Sequence, residues 1–128
     1  MEIVNGQEVI SGAYLLECNS EFKVNTYTGD QTLNMNQTGQ LIVMNSASNQ
    51  IITLPIAAAA DAGKWFAFAN INTGRLTIGP GTGGQINNGT ATTGTFYTDT
   101  DYIAGCIIKC VAANKWAVIS GNGTWATT

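Results

Sequence analysis

Histidine is absent from this chain of 128 residues. It is the commonest general base and the commonest metal ligand in proteins, so its absence excludes Ser-His-Asp and Cys-His catalytic arrangements within one chain. The three cysteines form no Cys-x-x-Cys pair of the kind that holds zinc. We therefore expect a protein that is not an enzyme and that carries no metal or cofactor.

Charge is scarce as well. Only 10% of the residues are charged, against about 25% in ordinary soluble domains. The five cations are scattered and the net charge is −3, so the sequence predicts no nucleic-acid partner, since phosphate binding needs clustered basic residues. A surface solvated by neutral amides and hydroxyls repels copies of itself weakly, which suits close, repeated protein contacts. The alternative is compositional drift in a small domain.

Long apolar runs are missing too. No segment approaches the roughly 18 apolar residues that span a bilayer, so we expect no membrane partner. The first six residues lack the basic start and apolar stretch of a signal peptide. The odd cysteine count (Cys18, Cys106 and Cys110) excludes a complete set of disulfides within the chain. Cys106 and Cys110 share one face of a predicted strand, roughly 13 Å apart, and we expect buried free thiols and folding in a cytoplasm.

Short stretches of alternating or wholly apolar residues separated by Gly, Asn and Asp make up most of the chain. They predict an all-β fold: a single antiparallel β-sandwich or jelly-roll-like domain. Residues 1–20 are predicted as an N-terminal arm or edge strand, and residues 21–128 as the sandwich. Strands are predicted at 9–17, 22–28, 32–36, 40–45, 50–54, 65–69, 75–78, 85–89, 95–99, 102–111 and 115–120.

One short helical turn is predicted near residues 55–62. Pro55 suits a first helical position, the alanines after it favour helix, and Gly63 can adopt the left-handed conformation that ends one. Asn72-Thr73-Gly74 is predicted as a tight hairpin into the strand that follows. The predicted strand 65–69, which precedes this turn, is rich in aromatic residues. Trp65, Ala67 and Ala69 lie on one of its faces and Phe66 and Phe68 on the other.

The order of these elements resembles a β-sandwich module of tailed-bacteriophage virions, found in capsid decoration proteins, tail fibres and spikes. The resemblance rests on Ile52-Thr53-Leu54-Pro55, the alanine turn, the aromatic strand ending at Asn70, and Leu76-Thr77-Ile78. It continues through Gln85-Ile86-Asn87-Asn88-Gly89, where the second Asn departs from the family pattern. Lys115-Trp116-Ala117-Val118 and Gly123-Thr124-Trp125 close it, so residues 28 to 126 are covered.

The resemblance implies a non-enzymatic homotrimer whose partners are its own copies and a major capsid protein. We expect a capsid decoration (cement) protein on the virion surface, because 128 residues starting at Met are interpreted as a complete module without a fibrous shaft. Residues 40–44 and 102–111 are apolar on both faces, which favours either a trimer interface or burial on both sides. The predicted interface residues are Leu41, Val43, Ile103 and Ile107.

The alternative function is a receptor-binding tail-fibre or spike module that recognises host glycans. Aromatic rings would stack on sugars and polar loops would supply hydrogen bonds. The candidate binding residues are Tyr97, Asp99, Asp101, Tyr102 and Trp125. Structural roles for the aromatic residues, and a solvated turn for the two aspartates, are the competing interpretation.

Overall fold

The computed structural model describes residues 23–98 and 103–128, which form eleven strands and two short 3-10 helices. The strands are β1 (Val24–Tyr27), β2 (Gln31–Thr32), β3 (Leu41–Met44), β4 (Gln50–Thr53), β5 (Trp65–Asn70), β6 (Leu76–Gly79), β7 (Gln85–Ile86), β8 (Phe96–Thr98), β9 (Ala104–Ala112), β10 (Lys115–Asn122) and β11 (Trp125–Thr127). The 3-10 helices span Met35–Gln37 and Ala59–Asp61. The predicted arm over residues 1–20 lies outside the described residues.

The strands form two sheets. Six strands lie in the order β1-β3-β5-β9-β10-β7, and five in the order β11-β8-β6-β4-β2. The predicted all-β fold of two packed sheets is confirmed. Pairing within the sheets is mixed rather than antiparallel throughout, because five of the nine described strand pairs are parallel.

Four of the five parallel pairs arise because the chain winds between the sheets from β1 to β6. Strands β1, β3 and β5 lie side by side in the six-stranded sheet, and β2, β4 and β6 lie side by side in the five-stranded sheet. Each of the three turns thus contributes one strand to each sheet, as in a short parallel β-helix. The second part of the domain is mainly antiparallel: β9 pairs with β5 and β10, and β8 pairs with β6 and β11. Its one described parallel pair joins β7 to β10.

The predicted hairpin at Asn72-Thr73-Gly74 is wrong, because β5 and β6 belong to different sheets. The buried side chain of Asn70 donates from Nδ2 to the Gly74 carbonyl at 2.9 Å. The Gly74 N–H donates to the Ser46 carbonyl of the preceding turn at 2.9 Å. A Cβ on Gly74 would lie 2.1 Å from the Ser48 carbonyl oxygen. The corner at Gly74 therefore packs on the turn at Ser46 and Ser48. After this corner the chain continues into the other sheet as β6.

The predicted helical turn is shorter than expected. A 3-10 helix covers Ala59–Asp61, whereas Ala57 is buried and donates its N–H to the Asn114 side chain at 2.8 Å. That contact holds the alanine run in a non-helical path as far as Ala58. Gly63 has a φ of +99°, so its predicted left-handed conformation is confirmed.

The predicted strand over residues 32–36 is also wrong beyond Thr32. The 3-10 helix Met35–Gln37 occupies the end of that predicted strand. Asn34 begins this helix: its Oδ1 accepts from the Asn36 N–H, and its own N–H donates to the Gln37 side chain. This reciprocal capping by Asn and Gln competes with strand pairing.

The core lies between the sheets and joins the parallel and antiparallel parts. Phe66 of β5 lies 5.8 Å from Trp116 of β10, measured between ring centroids. The core side chains include Leu33, Ile42, Met44, Ile52, Leu54, Phe66, Phe68, Leu76, Ile78, Ile86, Phe96, Ile108 and Trp116. Cys106 and Cys110 also face this core as buried free thiols, which confirms their prediction. Cys18 lies outside the described residues.

Candidate binding surfaces

The outward side of the six-stranded sheet carries a row of apolar side chains across its central strands. Leu41 on β3 pairs with Ala67 on β5, which pairs with Ile107 on β9. Alternate residues of these strands point into the core, since Ile42, Phe66, Phe68, Cys106 and Ile108 belong to the core cluster. We call the outward side the apolar face; its apolar members are Val24, Leu41, Val43, Trp65, Ala67, Ala69, Ile107, Val111 and Ile119.

Three of the four predicted interface residues belong to this face. Leu41 and Ile107 share one row, and Ile107 is 37% exposed. Val43 lies in the next row beside Ala69 and is 7% exposed. Ile103, 66% exposed, directly precedes β9 and lies outside the face as defined. The structure therefore brings Leu41, Val43 and Ile107 together and leaves Ile103 at the strand's start.

Sequence reasoning missed Ile119 as a member of the face. The β9–β10 register shifts between Val118 and Ser120, because Val118 pairs with Ile108 and Ser120 with Ile107. This irregularity leaves Ile119 as an extra residue, 57% exposed, beside a depression that Trp65, Ala67 and Ile107 also line. Alternation from the inward Trp116 and Val118 places Ile119 outward, but it cannot reveal the bulge, which brings Ser120 to the outward side as well.

A second depression lies next to the first on the same face. Its outward-facing residues are small: Ala67, Gly105 and Ser120 contribute little side-chain volume. A Cβ on Gly105 would lie 3.0 Å from the Asn122 side-chain oxygen, so this glycine is closely surrounded at its base. The Ile107 side chain belongs to the walls of both depressions and separates them.

Charge on this face is limited to lysine among the strand residues that the structure describes. Lys109 pairs with Trp65 on β5 and borders the first depression. Lys115, at the start of β10, donates from Nζ to the Gln85 side-chain oxygen at 2.6 Å.

An ion pair joins Lys64 and Asp61 beside the alanine turn, 2.9 Å apart. The Lys64 contact lowers the pKa of the Asp61 carboxyl, assisted by the Ala58 N–H.

The two candidate glycan-binding aromatic residues that the structure describes, Tyr97 and Trp125, do not share a surface. Tyr97 lies between the inward-facing Phe96 and Thr98 on β8, so it points outward from the five-stranded sheet. The Arg75 guanidinium covers one face of its ring, 4.6 Å from the centroid. This cation–π contact occupies a surface that a sugar would need.

Trp125 has a packing role instead. Its ring stacks on Phe96 at 4.6 Å between centroids, nearly parallel at 5°, and its Nε1 donates to the Asn122 carbonyl. It packs against the core from β11. Asp99, Asp101 and Tyr102 lie outside the described residues. The described part of this candidate set is therefore divided between the outer and the inner side of the five-stranded sheet.

The two buried thiols are unsuited to nucleophilic chemistry. Burial raises the pKa of Cys106 to about 12, and it also raises the pKa of Cys110, whose thiol donates to the Ala112 carbonyl. A thiol with a raised pKa is mostly protonated at neutral pH and reacts slowly. Within residues 23–98 and 103–128, no cluster of three Cys, Asp or Glu side chains is placed to hold a metal ion.

No protein-family model matches this chain, and no curated protein matches it either. In the part of the chain that the structure describes, no helix is both long and apolar enough to cross a membrane.

Proposed function

We propose that this chain is a non-enzymatic virion structural protein: a homotrimeric capsid decoration protein that binds the major capsid protein and stabilises the head. The observation that carries the proposal is the apolar face, where Leu41, Ala67 and Ile107 form a continuous row on three paired strands. Exposed apolar patches on small proteins mark contact surfaces. The virion class itself rests on the module resemblance over residues 28–126.

The rigidity of the surface supports a structural role. Strands β3, β5 and β9 are paired along their whole shared length and backed by the buried Phe66 and Ile108. A sheet face held in this way loses little conformational entropy on binding, which lowers the cost of association. The scarcity of charge lowers the desolvation cost further.

Glycan recognition by a tail fibre or spike is the second candidate, and Tyr97 is the described residue that favours it. Its ring is partly exposed next to Arg75. Trp125 packs on Phe96 and the core instead of presenting an exposed ring, so Tyr97 is the described candidate aromatic residue that remains for stacking on a sugar. A glycan array on which the protein shows no binding would eliminate the candidate.

The deciding experiment is the copy number of this chain relative to the major capsid protein in purified particles of the virus that encodes it, by quantitative mass spectrometry. Capsid decoration predicts a ratio on the order of one copy per capsid subunit, or one trimer for every few. A ratio one or two orders of magnitude lower would place the chain on a tail or at a vertex. Particles free of this chain would contradict every virion function.

A further inference from the structure

Both sheets have an open edge on the side of the domain where the winding begins. β1 ends the six-stranded sheet and β2 ends the five-stranded sheet, and each pairs with one described strand. Both residues of β2, Gln31 and Thr32, are exposed and uncharged. Edge strands that face solvent are commonly protected by charged side chains or proline. The β2 edge has neither, so its backbone is open to a further strand.

The hydrogen bonds at the ends of the five-stranded sheet's parallel strands repeat along the winding. After β4, the Leu54 N–H donates to the Gly79 carbonyl of β6 at 2.8 Å; after β2, the Leu33 N–H donates to the Thr53 carbonyl of β4 at 2.9 Å. Successive residues of a strand direct their backbone groups to opposite sides, so the Thr32 carbonyl points away from β4. A leucine one turn earlier in the winding would donate to that carbonyl.

The leucines after β2 and β4 also occupy equivalent positions in the core. Leu33 and Leu54 are 2% and 1% exposed and belong to the core cluster. Leu33 lies eight residues before Leu41, which begins β3, and the next turn, with the alanine run, is three residues longer. Leu16 likewise lies eight residues before Val24, which begins β1. The chain before β1 therefore carries a leucine at the spacing of the shorter turn.

The chain enters β1 at the end of the domain where these leucines lie. The Lys23 carbonyl accepts from the Leu41 N–H at 2.9 Å, so Lys23 lies beside the end of the connection that leaves β2. In both described connections of this kind, the strand that precedes one in the six-stranded sheet lies in the five-stranded sheet: β2 before β3, and β4 before β5. The 22 residues before Lys23 are enough for one more strand and its connection, and residues 9–16 carry no charge.

We propose that residues 12–16 of the same chain add a parallel strand to the open edge of β2, with the Leu16 N–H donating to the Thr32 carbonyl. The Leu16 side chain then stacks on Leu33 in the core. Leu15 becomes the neighbour of Thr32, as Thr32 is the neighbour of Thr53. The added strand extends the winding by half a turn and covers an unpaired edge that could otherwise pair with another chain. The inference does not depend on the virion function.

The test joins Leu15 to Thr32 by an engineered disulfide in the full chain. Neighbouring strands lie about 4.8 Å apart, which is within the span that a disulfide bridges, so Leu15→Cys with Thr32→Cys should oxidise within one chain. The matched control is Leu15→Cys with Thr26→Cys, because Thr26 is an exposed residue of the other edge strand, β1. The control pair would join if residues 9–17 instead folded back on β1 as an antiparallel hairpin. We expect the first pair to form its disulfide at least about tenfold faster than the control, with peptide mass spectrometry identifying the joined cysteines.

Amide hydrogen exchange of the wild type provides a second measurement that needs no variant. The Leu16 and Thr32 amides should exchange more slowly than in the unfolded chain by a factor on the order of a hundred. Unfolded-chain exchange at Leu16, faster joining of the control pair, or a disulfide between two copies would each overturn the inference; the last would assign the edge to a neighbouring copy. Circular dichroism identifies any variant that has lost its fold. Absence of the chain from virus particles would contradict the virion function and leave this strand in place.

Discussion

Between residues 24 and 79 the chain changes sheet after every strand, whereas β9 and β10 follow each other within one sheet. Both parts contain short turns rich in Asn and Gly, and their strands are of similar apolar character. The Ala113-Asn114 turn makes a hairpin between β9 and β10, with Asn114 at a φ of +52°. The turn at Asn72-Thr73-Gly74 makes a corner between sheets instead. Similar turn chemistry thus produces opposite topologies.

The difference arises from what lies beneath each turn. The corner at Gly74 rests on the preceding turn of the winding, where the Ser46 carbonyl accepts its N–H and Asn45 accepts from the Asn72 side chain. The Asn114 turn instead holds the alanine segment through paired hydrogen bonds with Ala57. Long-range partners, rather than the local turn residues, decide whether the chain reverses or crosses.

The largest effect is expected for Gly74→Ala, which would disrupt the corner between β5 and β6 in the winding part of the domain. The added Cβ would meet the Ser48 and Ser46 carbonyls at 2.6 Å or less, and rigid backbone cannot give way cheaply. We expect a loss of more than about 4 kcal/mol in the free energy of unfolding, measured by urea denaturation. Gly29→Ala is the control, because nothing lies within 4 Å of its Cβ position. Equal stability of both variants would contradict the stacked corner.

Trp116→Ala tests whether the two parts unfold together. Trp116 is 2% exposed on β10 and packs against Phe66 of the winding part, so its removal should cost about 3–4 kcal/mol. The whole domain should still unfold in one transition, seen as coincident fluorescence and circular dichroism curves. Trp65→Ala, on the apolar face, is the matched control with a smaller expected loss. Two separate transitions would show that the parts are independent.

Asn70→Ala should have an intermediate effect, confined to the corner. The substitution leaves the Gly74 carbonyl without its buried donor, which should cost about 2 kcal/mol. Asn72→Ala, which removes hydrogen bonds at an exposed position of the same turn, should cost under about 1 kcal/mol. The measurement is again urea denaturation, and the reverse order of the two losses would refute the role assigned to Asn70.

Alkaline pH gives the most graded effect, because the loss is spread over the whole interval between the two pKa values. Cys106 of β9 pairs with Phe68 of β5, and burial raises the pKa of its thiol to about 12, above the 9.0 of an unperturbed thiol. The unfolded chain therefore loses this proton first, and the Cys106 contribution to stability falls as pH rises from about 9 towards 12, by about 1.4 kcal/mol per pH unit. The control is Cys106→Ala, whose stability should fall less steeply over this window because other groups alone titrate. Identical slopes would contradict the burial of this thiol.

The apolar alternation of β5 was visible in the sequence and is confirmed, with Trp65 outward and Phe66 inward. Leu41 and Ile107 could be predicted as outward residues because their strands are apolar on both faces. No repeat was detected, since the equivalent positions Val24, Leu41 and Ala67 are 17 and 26 residues apart. Because the connections between these strands differ in length, the winding produces no fixed repeat in the sequence. It is seen only in the strand register.

The sequence by itself determined the all-β class, most strand positions, the left-handed Gly63 and the burial of Cys106 and Cys110. These properties follow from side-chain periodicity and local backbone preferences, which act over a few residues. The tertiary structure alone decided the parallel winding, the corner at Gly74 and the bulge in β10 between Val118 and Ser120. Each of these depends on hydrogen bonds or register between residues distant in the chain, and such contacts leave no local pattern in the sequence.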